Sequence, residues 1–239
     1  MARVQLANAP LVKVAAEVRF HGDLSFLASW GSIQTELRDK YPKLYVPKAA
    51  FGEAPMLQPF RLATPDDLDY WFFSVNSFGF TAKRYTVFSD FRDRFSFVLD
   101  ICMKYVRPDR LTRLGLRFVN SLPPAPEEAS ADGRIHPCLT LMLTGQGDRP
   151  GRFWGQPSVS FQEKRELLVL RVALEGGAPS SLHEEAARGV TLDLDCQQTD
   201  ELVIERVDYF LTEAHNWIDE TFFGLLTPEY ARYISGETP

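Results

Sequence analysis

Two carboxylates, Asp193 and Asp195, stand two residues apart in the alternating run VTLDLDC. On a strand they project from one face about 7 Å apart, a spacing that two-carboxylate metal chemistry can use. An acidic outer face on an exposed strand explains the same pattern, and charged side chains generally stay outside. The four histidines, His21, His136, His183 and His215, form no HxH, HxxxH or HExxH spacing. His183-Glu184-Glu185 reads as a helix start rather than a ligand pair. Cys102, Cys138 and Cys196 fall in apolar or strand-like patterns and form no CxxC, so none is expected to pair with a histidine. GxSxG, GxxxxGK[ST] and GxGxxG are all absent, and Gly145-Gln146-Gly147 reads as loop glycines. From these patterns no catalytic residue, no metal ligand and no cofactor is assigned.

The richest constellation lies on two strand-like segments. Lys13, Ala15, Glu17 and Arg19 alternate with apolar residues in the first, and Arg113, Gly115, Arg117 and Val119 share one face of the second. Laid side by side, these faces place arginines around small residues, a setting in which a guanidinium can grip a carboxylate or phosphate through two hydrogen bonds. The candidate binding residues are therefore Glu17, Arg19, Arg113 and Arg117. A Glu17–Arg117 cross-strand ion pair on a solvated sheet is the plainer reading.

The surrounding periodicities predict the elements that hold these residues. Leu11–Phe20 alternates as a half-buried strand. Asp23 caps a helix carrying Phe26, Trp30, Ile33, Leu37 and Tyr41, which Pro42 stops. After a proline-rich loop come a short strand at Phe60–Ala63 and a hairpin, Tyr70–Asn76 and Gly79–Tyr85, turning at Asn76-Ser77-Phe78-Gly79. A long helix with Phe88, Phe91, Phe95, Val98, Cys102 and Tyr105 on one face ends at Pro108.

The second half opens with a strand at Leu111–Leu122, then a polar loop from Pro123 to Gly133 and a short apolar stretch at Pro137–Thr144. Strands follow at Ser158–Lys164, Leu167–Glu175 and Val190–Cys196. A helix runs from Asp200 to about Gly224 with Val203, Val207, Phe210, Ala214, Trp217, Ile218, Thr221 and Leu225 as its stripe. Thr227-Pro228-Glu229 opens a last short helix.

Both halves fit the order strand, helix, three strands, helix. The expected fold is α+β, an antiparallel sheet from two pseudo-repeated β-α-β-β-β-α units, 1–108 and 109–239, sharing one sheet with helices on one face. The strands at Leu11 and Leu111 are then neighbours. Duplicated saddle-shaped folds, such as the TATA-binding-protein type, have a similar plan, although a fold says little about activity.

Charge is uneven. Residues 1–121 carry 17 basic and 12 acidic side chains, net +5, and the remainder 9 and 20, net −11. Nine basic residues against four acidic lie between Thr81 and Arg117. This suits an anionic ligand, or two halves that face each other. An odd, scattered cysteine count suits a reducing compartment. The start, MARVQLANAPLVKVAAEVRF, lacks an uninterrupted apolar core and no run approaches membrane-spanning length. The expected location is the cytoplasm, without membrane contact.

Asn8-Ala9-Pro10, Glu17-Val18-Arg19-Phe20, Gly115-Leu116-Arg117-Phe118-Val119-Asn120 and Leu225-Leu226-Thr227 carry a resemblance spanning most of the chain. The chain resembles a sporadically distributed family of uncharacterised bacterial proteins. That resemblance implies a bacterial, cytoplasmic accessory protein and supplies no catalytic residue. The function expected is a non-catalytic binding or accessory protein for a small anionic ligand or a protein partner. One alternative is a nucleic-acid-binding module using residues 81–117 with Phe78, Phe80 and Tyr85, although a pI near 5.3 weighs against it. The other is a metal-dependent hydrolase built on Asp193 and Asp195.

Overall fold

The computed structural model describes residues 9–46, 59–108, 110–123, 133–139, 158–163, 165–174, 189–199 and 202–236. Among the described residues nine strands form one antiparallel sheet, which with the helices makes the fold α+β. In chain order they are β1 (Leu11–Phe20), β2 (Lys43–Tyr45), β3 (Phe60–Ala63), β4 (Asp69–Ser74), β5 (Ser77–Ala82), β6 (Leu111–Leu122), β7 (Ser158–Glu163), β8 (Glu166–Leu174) and β9 (Val190–Gln198). The helices are α1 (Leu24–Ala28), α2 (Trp30–Leu37), α3 (Phe88–Tyr105), α4 (Val207–Leu225) and α5 (Pro228–Ser235). The sheet order is β2-β3-β4-β5-β1-β6-β9-β8-β7, so β1 and β6 are antiparallel neighbours at its centre.

Alternation decides which face is core. Val14, Ala16, Val18 and Phe20 of β1 and Leu114, Leu116 and Phe118 of β6 are buried with Phe91, Phe95 and Val98 of α3 and Phe210, Ala214 and Ile218 of α4. Trp71 of β4 stacks on Phe80 of β5 at 4.5 Å, and Phe80 stacks on Phe91 at 5.5 Å. Such offset ring pairs add modestly to the burial of large apolar surfaces. Asp69 ties the end of this layer: its nearly buried carboxylate accepts from Arg94 at 2.8 Å and from the backbone N–H of Lys83 at 3.2 Å.

Four elements depart from expectation. The first helix is two short ones meeting at Ser29, whose hydroxyl donates to the Ser25 carbonyl at 2.8 Å; a side chain competing for a helix carbonyl bends the axis. The three-residue β2 forms where a loop was expected, because Lys43 and Tyr45 anchor it to Asp67. The hairpin turns at Val75-Asn76 rather than two residues later. Phe78 and Phe80 must both point inward beside Val18 and Ala16, so Ser77–Ala82 is strand throughout, and the Ser74 and Ser77 hydroxyls close the turn at 2.7 Å. Leu202 is drawn into a bridge with Leu111, so α4 begins at Val207 after a 3-10 turn, Ile204–Arg206, and Val203 is exposed. The real α4 stripe includes Leu211 and Phe222, while Trp217 is only partly buried.

The expected cap of the last helix is present: the Thr227 hydroxyl accepts from Tyr230 N–H at 3.2 Å. Most of the Pro123–Gly133 and Pro137–Thr144 segments lies outside the described residues, as do His183-Glu184-Glu185 and Gly145-Gln146-Gly147.

Candidate functional site

Among the described residues no helix packs on the face of the sheet opposite the core. There the register sets Arg117 between Ala15 and Asp195, Gly115 between Glu17 and Gln197, and Val119 between Lys13 and Asp193. On β8 the same face carries Arg171 opposite Asp193. Five basic residues, Lys13, Arg19, Arg113, Arg117 and Arg171, thus share four strands with Glu17, Asp193 and Asp195.

All four candidate binding residues lie on this face, but their pairing differs from the expected Glu17–Arg117 contact. Glu17 instead accepts from Arg113 at 2.5 Å and from Arg19 at 2.9 Å. Arg113 also donates to Gln197 at 2.9 Å and reaches Asp195 at 3.4 Å. This fold-back is possible because Gly115 has no side chain: a Cβ there would stand 3.0 Å from an Arg113 guanidinium nitrogen. Arg117 turns the other way and grips Asp193 through two hydrogen bonds of 2.7 Å. Arg171 approaches the same carboxylate at 3.4 Å.

Asp193 and Asp195 are therefore neither a solvated face nor a free carboxylate pair. Their side chains are only 10% and 14% exposed, beneath the arginines. The oxygens a cation would need on Asp193 are taken by two guanidinium groups. Burial pushes the Asp195 carboxyl above its usual range despite the arginines nearby, whereas the hydrogen bonds that Arg117 donates to Asp193 raise the Arg117 pKa further. What remains available to solvent is cationic: the Arg117 and Arg171 side chains are 44% and 41% exposed.

Toward β2 the same face becomes aromatic. The Arg61 guanidinium lies 5.4 Å from the Tyr70 ring and 5.6 Å from that of Tyr45. Phe72 covers Gly79, where a Cβ would come within 2.2 Å of the ring and 2.5 Å of the Ala16 carbonyl oxygen.

The basic stretch from Thr81 to Arg117 does not form one patch. Arg84 pairs with Asp66, Arg92 with Asp208, Arg94 with Asp90 and Lys104 with Glu36, while Arg113 and Arg117 face the open sheet. Of these pairs Arg92–Asp208 joins the basic half to the acidic one. Phe78 and Phe80 are fully buried, so neither ring can stack on a base.

Some groups escaped the sequence reading. His136 Nδ1 lies 3.1 Å from Cys138 Sγ on the surface, two residues away, contrary to the expectation that no cysteine meets a histidine. Asn120 interrupts the apolar alternation of β6 and is 5% exposed, a visible signal that went unused. Asp219 of α4 lines a cleft with His215. Among the described residues no group of three or more His, Cys, Asp or Glu side chains is placed to hold a metal ion, and no helix is long and apolar enough to cross a membrane.

No protein-family model matches the chain, and no curated protein matches its sequence.

Proposed function

We propose that this protein is a non-catalytic binding or accessory protein that engages an acidic protein partner across the open face of its sheet. The observation that carries this reading is the pair of half-exposed arginines, Arg117 and Arg171, straddling the buried Asp193. A guanidinium has five N–H donors. Arg117 directs two N–H groups at Asp193, which leaves others for a carboxylate arriving from solvent. Asp193 preorganises both side chains, so less rotamer freedom is lost on binding. Glu17, Arg19 and Arg113 form the adjoining edge, with Arg113 braced from three sides.

A protein surface suits this face better than a small anion. Its charges are spread over four strands and largely compensated within the sheet, and the Arg61–Tyr45–Tyr70 shelf extends it. Aromatic and arginine side chains are the groups enriched at protein interfaces. The reading places the protein in a bacterial cytoplasm, where its three free cysteines would stay reduced.

The test is affinity capture from a bacterial lysate with wild type and Arg117→Gln/Arg171→Gln in parallel, at about 50 and 300 mM salt, since exposed charge pairs weaken as the screening length shrinks. A partner should be held by wild type at low salt and released at high salt. The double variant should retain it at least tenfold less while still unfolding in one cooperative transition, at a melting temperature lowered by loss of the Asp193 contacts. Identical capture profiles would remove this face as the binding surface.

A further inference from the structure

The two ends of the sheet differ. At one end β2 is three residues long and begins with Lys43, whose ammonium is tied to Asp67. Short length and an edge lysine both keep a strand from pairing with another chain. At the other end β7 is six residues long, pairs with β8 along its whole length, and shows no shift of register that would mark a bulge. Its run Ser158-Val159-Ser160-Phe161-Gln162 contains no proline and no charge. Ser160, Phe161 and Gln162 are exposed. A flat, uncharged edge of this kind is a template for a further strand.

Hairpin geometry decides which backbone groups such a strand would meet. Only two residues separate the paired Glu163 and Glu166, and the closing pair of so short a hairpin is hydrogen-bonded. The backbone groups of Glu163, Phe161 and Val159 therefore point to β8, and those of Ser158, Ser160 and Gln162 point away from it. Val159 and Phe161 stand beside Leu170 and Leu168, both fully buried on the helix-bearing face, while Ser158, Ser160 and Gln162 share the open face. Phe161 is nonetheless 40% exposed, and among the described residues no strand lies beyond it.

We propose that two copies of this chain join edge to edge through β7, antiparallel about a twofold axis that passes through Ser160 perpendicular to the sheet. In this register Ser160 faces its own counterpart, Ser158 faces the partner's Gln162, and Phe161 faces the partner's Val159. Each Phe161 gains an apolar neighbour on its bare side, an aromatic–β-branched pair of the kind that stabilises antiparallel sheets. Both copies of Glu163 lie beyond the paired stretch, so no charge opposes another. An axis at Phe161 would set Glu163 against the partner's Val159, and one at Gln162 would set it against the partner's Phe161. An axis at Val159 would pair only Ser158 to Ser160. The contact is the same patch on both chains and closes on itself, and blunted β2 stops growth at two copies. It uses none of the arginines of the open face and stands or falls separately from the acidic-partner reading.

Sedimentation equilibrium of the full chain over about 1–300 µM reads the association. Wild type should pass from the mass of one chain to that of two across this range, with no larger species. Ser160→Lys sets two ammonium groups face to face across the axis, where like charges repel, and should weaken association at least tenfold with an unchanged circular dichroism spectrum. Ser160→Glu should do the same. An equimolar mixture of the two variants should regain the wild-type mass, because each axis then pairs opposite charges. A wild type that stays at the mass of one chain, undiminished association of Ser160→Lys, or a mixture no heavier than its components would each overturn the proposal. Should a variant fail to fold, amide exchange of the wild type at the two ends of the range decides. Ser160 and Gln162 should then exchange at least tenfold more slowly at the high concentration, and equal rates would overturn the proposal.

Discussion

Asp193 and Asp195 project from one strand face two residues apart, yet their replacement by asparagine should act in opposite directions. Asp193 accepts two hydrogen bonds of 2.7 Å from Arg117 and a longer contact from Arg171. Hydrogen bonds to charged groups contribute about 1.5–3 kcal/mol each when sheltered. Arg117 is 44% exposed, so much of that is recovered from water when the contact is lost. Asparagine keeps one acceptor but turns a donor toward the guanidinium. A loss of about 1–2 kcal/mol follows for Asp193→Asn.

Asp195 has only long contacts, 3.4 Å to Arg113 and 3.9 Å to Arg171, and burial raises its pKa. Its charge is thus held at a cost that the arginines do not fully offset, and Asp195→Asn should be neutral or stabilising at pH 7. A carboxyl with a raised folded-state pKa favours the fold below the unfolded value of about 3.9, and that advantage disappears as pH rises through the folded value. Any gain from Asp195→Asn should therefore be full at neutral pH and vanish in acid. Urea unfolding of the three proteins at a series of pH values reads both effects. Equal losses at pH 7, or a larger loss for Asp195→Asn, would refute the reasoning.

Other regions offer simpler tests. Gly79→Ala should destabilise by about 1–3 kcal/mol by overpacking, and Phe72→Leu should not rescue it, because the Ala16 carbonyl is 2.5 Å from the new Cβ; denaturant midpoints decide. Phe210→Ala, at a position 1% exposed, should cost about 3–5 kcal/mol, and Trp217→Ala, only partly buried, clearly less; equal losses would show that the stripe is misassigned. Iodoacetamide should modify Cys138 in the native protein and spare Cys102 and Cys196, both buried and with their pKa values raised by burial, as mass spectrometry of peptides would show.

The central strands were legible because β1 and β6 alternate cleanly and α3 and α4 repeat their apolar residues at helical spacing. Alternation assigns a face, and it gathered Glu17, Arg19, Arg113 and Arg117 on one side. It does not choose diagonal partners. That Arg113, not Arg117, reaches Glu17 depends on the bare backbone at Gly115 and on Gln197 and Asp195 arriving from β9. The three-residue β2 was illegible for a similar reason, since its anchor is the side chain of Asp67 beyond the next strand. The cleft needs α3 and α4 side by side before His215 meets Phe88, although Asn120 within an apolar series was a local mark of it.

The central claim is that Arg117 and Arg171 form the contact surface for an acidic partner. It is tested most directly by phenylglyoxal modification, read residue by residue by mass spectrometry, with the captured partner absent and then saturating. Arg232 of α5, 54% exposed and away from the open face, is the internal reference. Modification of Arg117 and Arg171 should slow at least tenfold, equivalent to about 1.4 kcal/mol of protection, while Arg232 reacts as before. Unchanged rates at Arg117 and Arg171 with the partner bound would contradict the account.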